Sequence, residues 1–177
     1  TRPGAVWVTN EEDDDSTIGQ ILALHYYVKN ASNSYIIAAA DGKLYYMTYA
    51  VLTGVEPQWT EIGSLTDSST KPSFLTFNGK LLIADGHTAI RQWDGTTYDT
   101  ITDSPPATAL YEVGARVVAN ATDELDGVFF SGPEDEEDWD TSESGSAVTL
   151  RAGYGDGLKV NGFAAIRDIL VVSKASE

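Results

Sequence analysis

The sequence predicts an all-β fold: a partial or complete β-propeller built from repeated antiparallel hairpins. Three observations carry this reading. One phrase, a short apolar run, a tight polar turn and a second apolar run, recurs four times in the 177 residues. Its turns begin near positions 41, 78, 114 and 167, so the steps between them are 37, 36 and 53 residues. Repeats of roughly 40–50 residues with several strands each are the mark of propeller blades. Finally, no long stripe of apolar residues at the helical period of about 3.6 runs through the chain, and Gly and Thr are frequent.

Taken in order, Ala5-Val6-Trp7-Val8 is strand-like and leads into the acidic run Glu11–Asp15. Ile21 to Val28 follows. A short helix over 18–24 is the competing reading, but the β-branched and aromatic residues after it favour a strand. The first repeated hairpin joins Tyr35–Ala40 to Leu44–Met47 through Asp41-Gly42-Lys43. The second joins Phe74–Phe77 to Leu81–Ala84 through Asn78-Gly79-Lys80. Asp-Gly and Asn-Gly suit a type I′ turn, in which both central residues need positive φ. The third hairpin joins Leu110–Val113 to Val117–Ala119 through Gly114-Ala115-Arg116, and the fourth joins Phe163–Ile166 to Ile169–Val172 through Arg167-Asp168. Between them lie further β-prone runs: Gln58–Ile62, Ala89–Trp93, Thr97–Ile101, Val128–Phe130 and Val148–Leu150. The long third step contains an acidic insertion over 133–146.

Length and composition bound the rest. The chain fits one domain of ordinary size over 1–177, or part of a larger one. With 42% hydrophobic residues it can bury a sizeable core. It opens on Thr1 rather than Met and stops just after a strand-like run, which reads as a fragment or processed piece of a longer polypeptide. There is no Cys, so neither a disulfide nor a thiolate metal site can form. No apolar run approaches the ~20 residues that cross a bilayer as a helix. The formal net charge of −16 repels nucleic acid at long range, which argues against DNA binding. It is read first as a source of solubility, and alternatively as a surface past which a polyanion slides without sticking.

Chemistry-bearing clusters are few. Glu11, Glu12, Asp13, Asp14 and Asp15 lack the spaced ligands and sharp Gly turn of a calcium loop, so a solvated loop is favoured. The same reading is favoured for Glu134–Asp138 with Asp140, whereas Trp139 within that loop calls for burial and anchors it. Asp123, Asp126, Asp156 and Asp168 are carboxylates that a general acid and base would require, but spacing brings no pair of them together. Asp156, in Gly153-Tyr154-Gly155-Asp156-Gly157, is expected to serve the turn backbone. His25 is expected on a strand and His87 in the Asp85-Gly86-His87 turn, neither with a local metal partner. Trp59, Trp93 and Trp139 are expected to pack. No nucleophile elbow, phosphate loop or basic patch is present. The sequence therefore assigns no catalytic, cofactor-binding or metal residue and implies no cofactor.

Several phrases, in order, resemble those of β-propeller virion proteins of tailed bacteriophages: Arg2-Pro3-Gly4, Phe77-Asn78-Gly79-Lys80-Leu81, Trp93-Asp94-Gly95-Thr96-Thr97, Pro105-Pro106 and Phe129-Phe130-Ser131-Gly132-Pro133. Glu137-Asp138-Trp139-Asp140-Thr141, Gly155-Asp156-Gly157 and Arg167–Lys174 complete the set, which spans nearly the whole chain. The relatives implied are the hub (packaged-DNA stabilisation) and tail-nozzle proteins of podophages. The resemblance implies a multi-strand propeller and no catalysis. It also implies self-assembly into a ring, commonly of six copies, in the head-to-tail connector or tail of the virion. Connector, portal or tail proteins would be its neighbours, and genomic DNA would pass through the channel without specific binding. A carbohydrate-binding or glycosidase-like propeller used in host attachment is the alternative expectation.

Overall fold

A computed structural model describes residues 18–48, 59–142, 145–167 and 169–175. Among these residues there is no helix, and every strand belongs to an antiparallel sheet of hairpins. The chain divides into two compact units, Thr1–Ser69 and Thr70–Glu177.

The first unit holds one meander: β1 (Ile21–Asn30), β2 (Asn33–Ala40), β3 (Lys43–Thr48) and β4 (Thr60–Ser64), adjacent in that order. The expected Asp41-Gly42 turn is present, with φ of 51° and 74°, and Ala40 pairs with Lys43 across it. At the other end of β2, the Asn30 side-chain oxygen accepts the backbone N–H of Ser32 and of Asn33, each at 3.0 Å, and closes the β1–β2 turn. Strand alternation sorts β1 sharply: Tyr27 is fully buried while Leu24, Tyr26 and Val28 are exposed. Tyr27 stacks on Tyr35 at 5.6 Å between ring centroids, and Tyr35 meets Tyr46 edge-on at 5.5 Å.

The second unit holds three sheets. The first comprises β5 (Ser73–Phe77), β6 (Lys80–Ala84), β7 (Arg91–Trp93) and β8 (Tyr98–Thr100). The second comprises β9 (Leu110–Val113), β10 (Arg116–Asn120), β11 (Gly127–Phe130) and β12 (Val148–Arg151). The third, among the described residues, comprises β13 (Val160–Ile166) and β14 (Ile169–Lys174). All three hairpin turns expected here occur, and Asn78, Gly79, Gly114, Ala115 and Arg167 have positive φ. Of the remaining expectations, Ala5–Val8, Glu11–Asp15 and Asp168 lie outside the described residues.

The middle sheet is covered on both faces, which explains why β10 reads as an unbroken apolar run. Val117 and Ala119 pack with Leu82, Ala84, Ile90 and Trp139 against the β5–β8 sheet. Val118 points the other way and packs with Val128 and Val160, joined by Phe163, Leu170 and Val172. The first strands of the three sheets lie side by side, β5 against β9 and β9 against β13, and no comparable contact joins β8 to β12. Asn120 seals the stack. Its oxygen accepts Thr108 N–H at 2.9 Å and Ala109 N–H at 3.0 Å, and its amide donates to Thr108 Oγ1 at 2.9 Å and Val160 O at 2.8 Å.

The regular first step between turns has a different origin from the one the sequence suggests. Asp41-Gly42 joins the second and third strands of its sheet, whereas Asn78-Gly79 and Gly114-Ala115 join first and second strands. Counted at equivalent places, the second strands end at Ala40, Ala84 and Asn120, steps of 44 and 36 residues. Turn chemistry marks where a chain reverses but not which hairpin of a sheet it closes. The equivalent of Asp41-Gly42 is Asp85-Gly86, which ends β6.

Candidate functional site

A groove of about 780 Å³ lies between the β5–β8 and β9–β12 sheets. Five segments build it. The β8–β9 connection contributes Asp103 and two prolines, and the β10–β11 loop contributes Asp123, Glu124 and Asp126. Phe129 of β11 with Trp139 of the acidic loop supplies apolar wall, and Thr149 and Arg151 of β12 complete it. Phe129 pairs with Thr149 and Gly127 with Arg151 across the β11–β12 ladder, so these side chains share one face.

Arg151 organises the groove. Its guanidinium donates to Asp126 Oδ1 at 2.7 Å, forms an ion pair with Glu124, and lies 5.6 Å from the centroid of the Tyr154 ring. Two carboxylates and one aromatic face thus fix its plane. Asp103 and Asp123 are exposed. The structure therefore brings Asp123 and Asp126 into one groove, along with Asp103, Glu124 and Arg151, which the sequence reading did not single out. The available signal was scarcity: Arg151 is one of only 11 basic residues, placed at the end of a strand.

The acidic loop is a clasp: Glu134, Asp135, Glu137 and Asp140 are exposed, as expected of a solvated run, but Glu136 is buried. Glu136 is 5% exposed and receives Asn78 Nδ2 at 3.0 Å and Lys80 Nζ at 2.7 Å. Glu137 accepts from Lys80 at 2.7 Å and from Gln92 at 2.8 Å. Backbone bonds add to these: Asn78 Nδ2 donates to Glu134 O at 2.9 Å, and Glu134 N–H to Ala115 O at 2.7 Å. The loop crosses from one hairpin tip to the next. Trp139 anchors it as expected, 6% exposed, with its indole N–H on Glu136 O at 2.8 Å. The spacing of the carboxylates concealed this because the partner lysine is 56 residues upstream of Glu136. Hydrogen bonds from Lys80 and Gln92 hold the Glu137 carboxyl below its ordinary range. For Lys80, burial favours the neutral amine, but the bonds to Glu136 and Glu137 outweigh it and raise the pKa. Asp138 accepts Ser146 Oγ–H at 2.6 Å and Ser146 N–H at 3.0 Å, which lowers its pKa.

The other candidates serve the fold. Asp156 accepts Leu158 N–H at 3.0 Å, as expected of a turn residue, and also pairs with Lys174 at 2.6 Å. Lys174 and the Leu158 N–H lower its pKa. His25 lies on β1, and burial lowers its pKa. His87 Nε2 is 3.2 Å from Thr70 Oγ1. Trp93 is buried, while Trp59 is half-buried with its indole N–H unpartnered. Asp85 is a buried carboxylate the sequence reading took only as turn. It accepts His87 N–H at 3.1 Å and pairs with Arg91 at 3.2 Å. Among the described residues no three metal-ligating side chains cluster, and no helix is long and apolar enough to cross a membrane. The chain matches no protein-family model and has no significant similarity to any curated protein.

Proposed function

We propose that this chain is a structural component of a tailed-phage virion, of the hub or nozzle type. In this reading its sheets are blades of a β-propeller and its copies form a ring around the DNA channel. The stacked sheets of the second unit support the propeller: successive ones share cores face to face, their first strands run together, and β8 and β12 make no comparable contact. Such blades make rigid adaptors. The net charge of −16 suits a wall that genomic phosphates pass without adhering.

The observation that carries assembly is the β13–β14 sheet. One of its faces seals the core on the β9–β12 sheet. The other presents Ile166 and Ile169, 65% and 68% exposed, beside Ala164 and Val171. An exposed apolar sheet face of this kind is a surface made for another β element. The groove carboxylates favour binding or structure over catalysis, since Glu124 and Asp126 are both engaged by one guanidinium.

The test is sedimentation equilibrium of the purified chain, with Ile169→Lys and Val171→Glu as comparators. Concentration-dependent association that both substitutions abolish supports the assembly reading. A monomer at all concentrations, or association indifferent to both, refutes it. Immunogold labelling of particles from the encoding phage tests the location: label confined to the tail or head-to-tail junction is expected, and unlabelled particles would refute the virion assignment.

A further inference from the structure

We infer that the groove beside Arg151 is a binding site for a short neutral oligosaccharide. The inference rests on the groove alone and is independent of the assembly reading. Sugar recognition needs three things at once: coplanar donors and acceptors for vicinal hydroxyls, an apolar surface for the C–H face of the ring, and a shape fixed before binding. The groove supplies each.

Arg151 sits between Glu124 and Asp126 with its plane set by both carboxylates and by Tyr154. A guanidinium has five N–H donors and each carboxylate has about four lone-pair directions, so these ion pairs exhaust neither the donors nor the acceptors. Donors and acceptors held side by side in this way suit adjacent sugar hydroxyls, each of which both donates and accepts. Thr149 adds a hydroxyl on the same face, at the register position of Phe129. Half-buried Phe129 provides the apolar surface. The volume of about 780 Å³ falls in the range of roughly 300–1,000 Å³ typical of small-molecule sites.

Charge selects the class of sugar. Asp103, Asp123, Glu124 and Asp126 against Arg151 leave the groove strongly negative, within a chain of net charge −16. Phosphorylated, sialylated or uronic-acid glycans are repelled and neutral ones are admitted. Retention without hydrolysis is expected. A glycosidase acid requires a carboxyl kept protonated in apolar surroundings, and here the two inner carboxylates share a cation.

The experiment is a nuclear magnetic resonance titration of the full chain with neutral gluco- and galacto-oligosaccharides, sialyllactose and spermidine as separate probes. The expected result is saturable shifts at groove residues for at least one neutral glycan, with an affinity of about 1 mM or tighter, and none for sialyllactose. Thr149→Val and Asp123→Asn alter exposed side chains that hold no part of the core, so the variants fold. Thr149→Val should weaken neutral-glycan binding roughly tenfold or more and Asp123→Asn should relax the exclusion of sialyllactose, while Ile169→Lys leaves both unchanged. Three results overturn the inference: no neutral glycan binding, binding indifferent to both groove variants, or saturation by spermidine alone, which would make the groove a cation site.

Discussion

Trp139 and Lys80 hold the same residue from two sides, and this makes the clasp measurable. The Trp139 indole binds the Glu136 backbone oxygen, and the Lys80 ammonium binds its carboxylate. Trp139 is 6% exposed within the core shared by two sheets. An aromatic side chain of about 200 Å², at about 25 cal/mol per Å², gives an upper bound near 5 kcal/mol. Trp→Ala changes in cores cost about 3–5 kcal/mol, so Trp139→Ala should fall in that range. Lys80→Met keeps the aliphatic stem and removes the ammonium. The Glu136 side chain, 7% exposed, is then left with Asn78 alone. Stranding a buried acceptor costs roughly 1–3 kcal/mol. Glu137 adds little, since its side chain is 55% exposed. The double variant should cost less than the sum by at least about 0.5 kcal/mol, because once either anchor is gone Glu136 is free to move into water. Urea unfolding followed by far-ultraviolet circular dichroism reads all four proteins. Additivity within about 0.3 kcal/mol, or a Trp139→Ala cost below about 1 kcal/mol, would show that the loop is not a clasp.

The same clasp sets a pH window. Glu137 is held below its ordinary 4.5, so its contribution is complete above that pH and is lost as pH falls through the lower folded value. Lys80 is raised above its ordinary 10.5, so its contribution is complete below that pH and is lost as pH rises through the higher folded value. The stability difference between wild type and Lys80→Met should therefore be flat between those limits and shrink below 4.5, as urea midpoints across pH will show. Asn120→Leu should cost about 3 kcal/mol or more, since it strands Val160 O and two N–H groups inside the stack, and thermal unfolding will measure it. Ala115 has φ of 58°, a left-handed conformation that costs a residue with a Cβ roughly 1–2 kcal/mol. Ala115→Asn should raise the urea midpoint, and a lowered midpoint would contradict the turn assignment. If copies associate through β13–β14, added salt should strengthen the association by screening the charge of −16, whereas weaker association in salt would point to ion pairs instead.

Hairpins were legible because their signals are local. Asp-Gly, Asn-Gly and flanking apolar runs state a reversal within a few residues, and all four expected turns are present. Their places within the sheets were not legible, because the β1–β2 turn is Asn30 to Asn33, with no glycine to mark it. The groove was half visible: Asp123 and Asp126 stood out as carboxylates, but Arg151 reaches them only through the β11–β12 ladder. The clasp was invisible for the same reason. Five acidic residues in a row look solvated unless the hairpin tip that neutralises two of them is already known to lie beneath.

That clasp bears on how so acidic a chain keeps a packed core. Glu136 and Glu137 converge on one lysine, and the remaining carboxylates of the loop either bind backbone N–H groups, as Asp135 and Asp138 do, or face water. The negative surface therefore costs the interior little, because its one buried carboxylate in this loop is paired. Repulsion between copies is left as the main effect of the charge. It opposes indiscriminate association through the β13–β14 face, where Lys174 is already committed to Asp156 and strand residues 169–173 carry no charge at all. An apolar face on an anionic body joins only a partner whose shape recovers more than the repulsion takes away; the ring contact proposed above would have to meet that condition, which random aggregation does not.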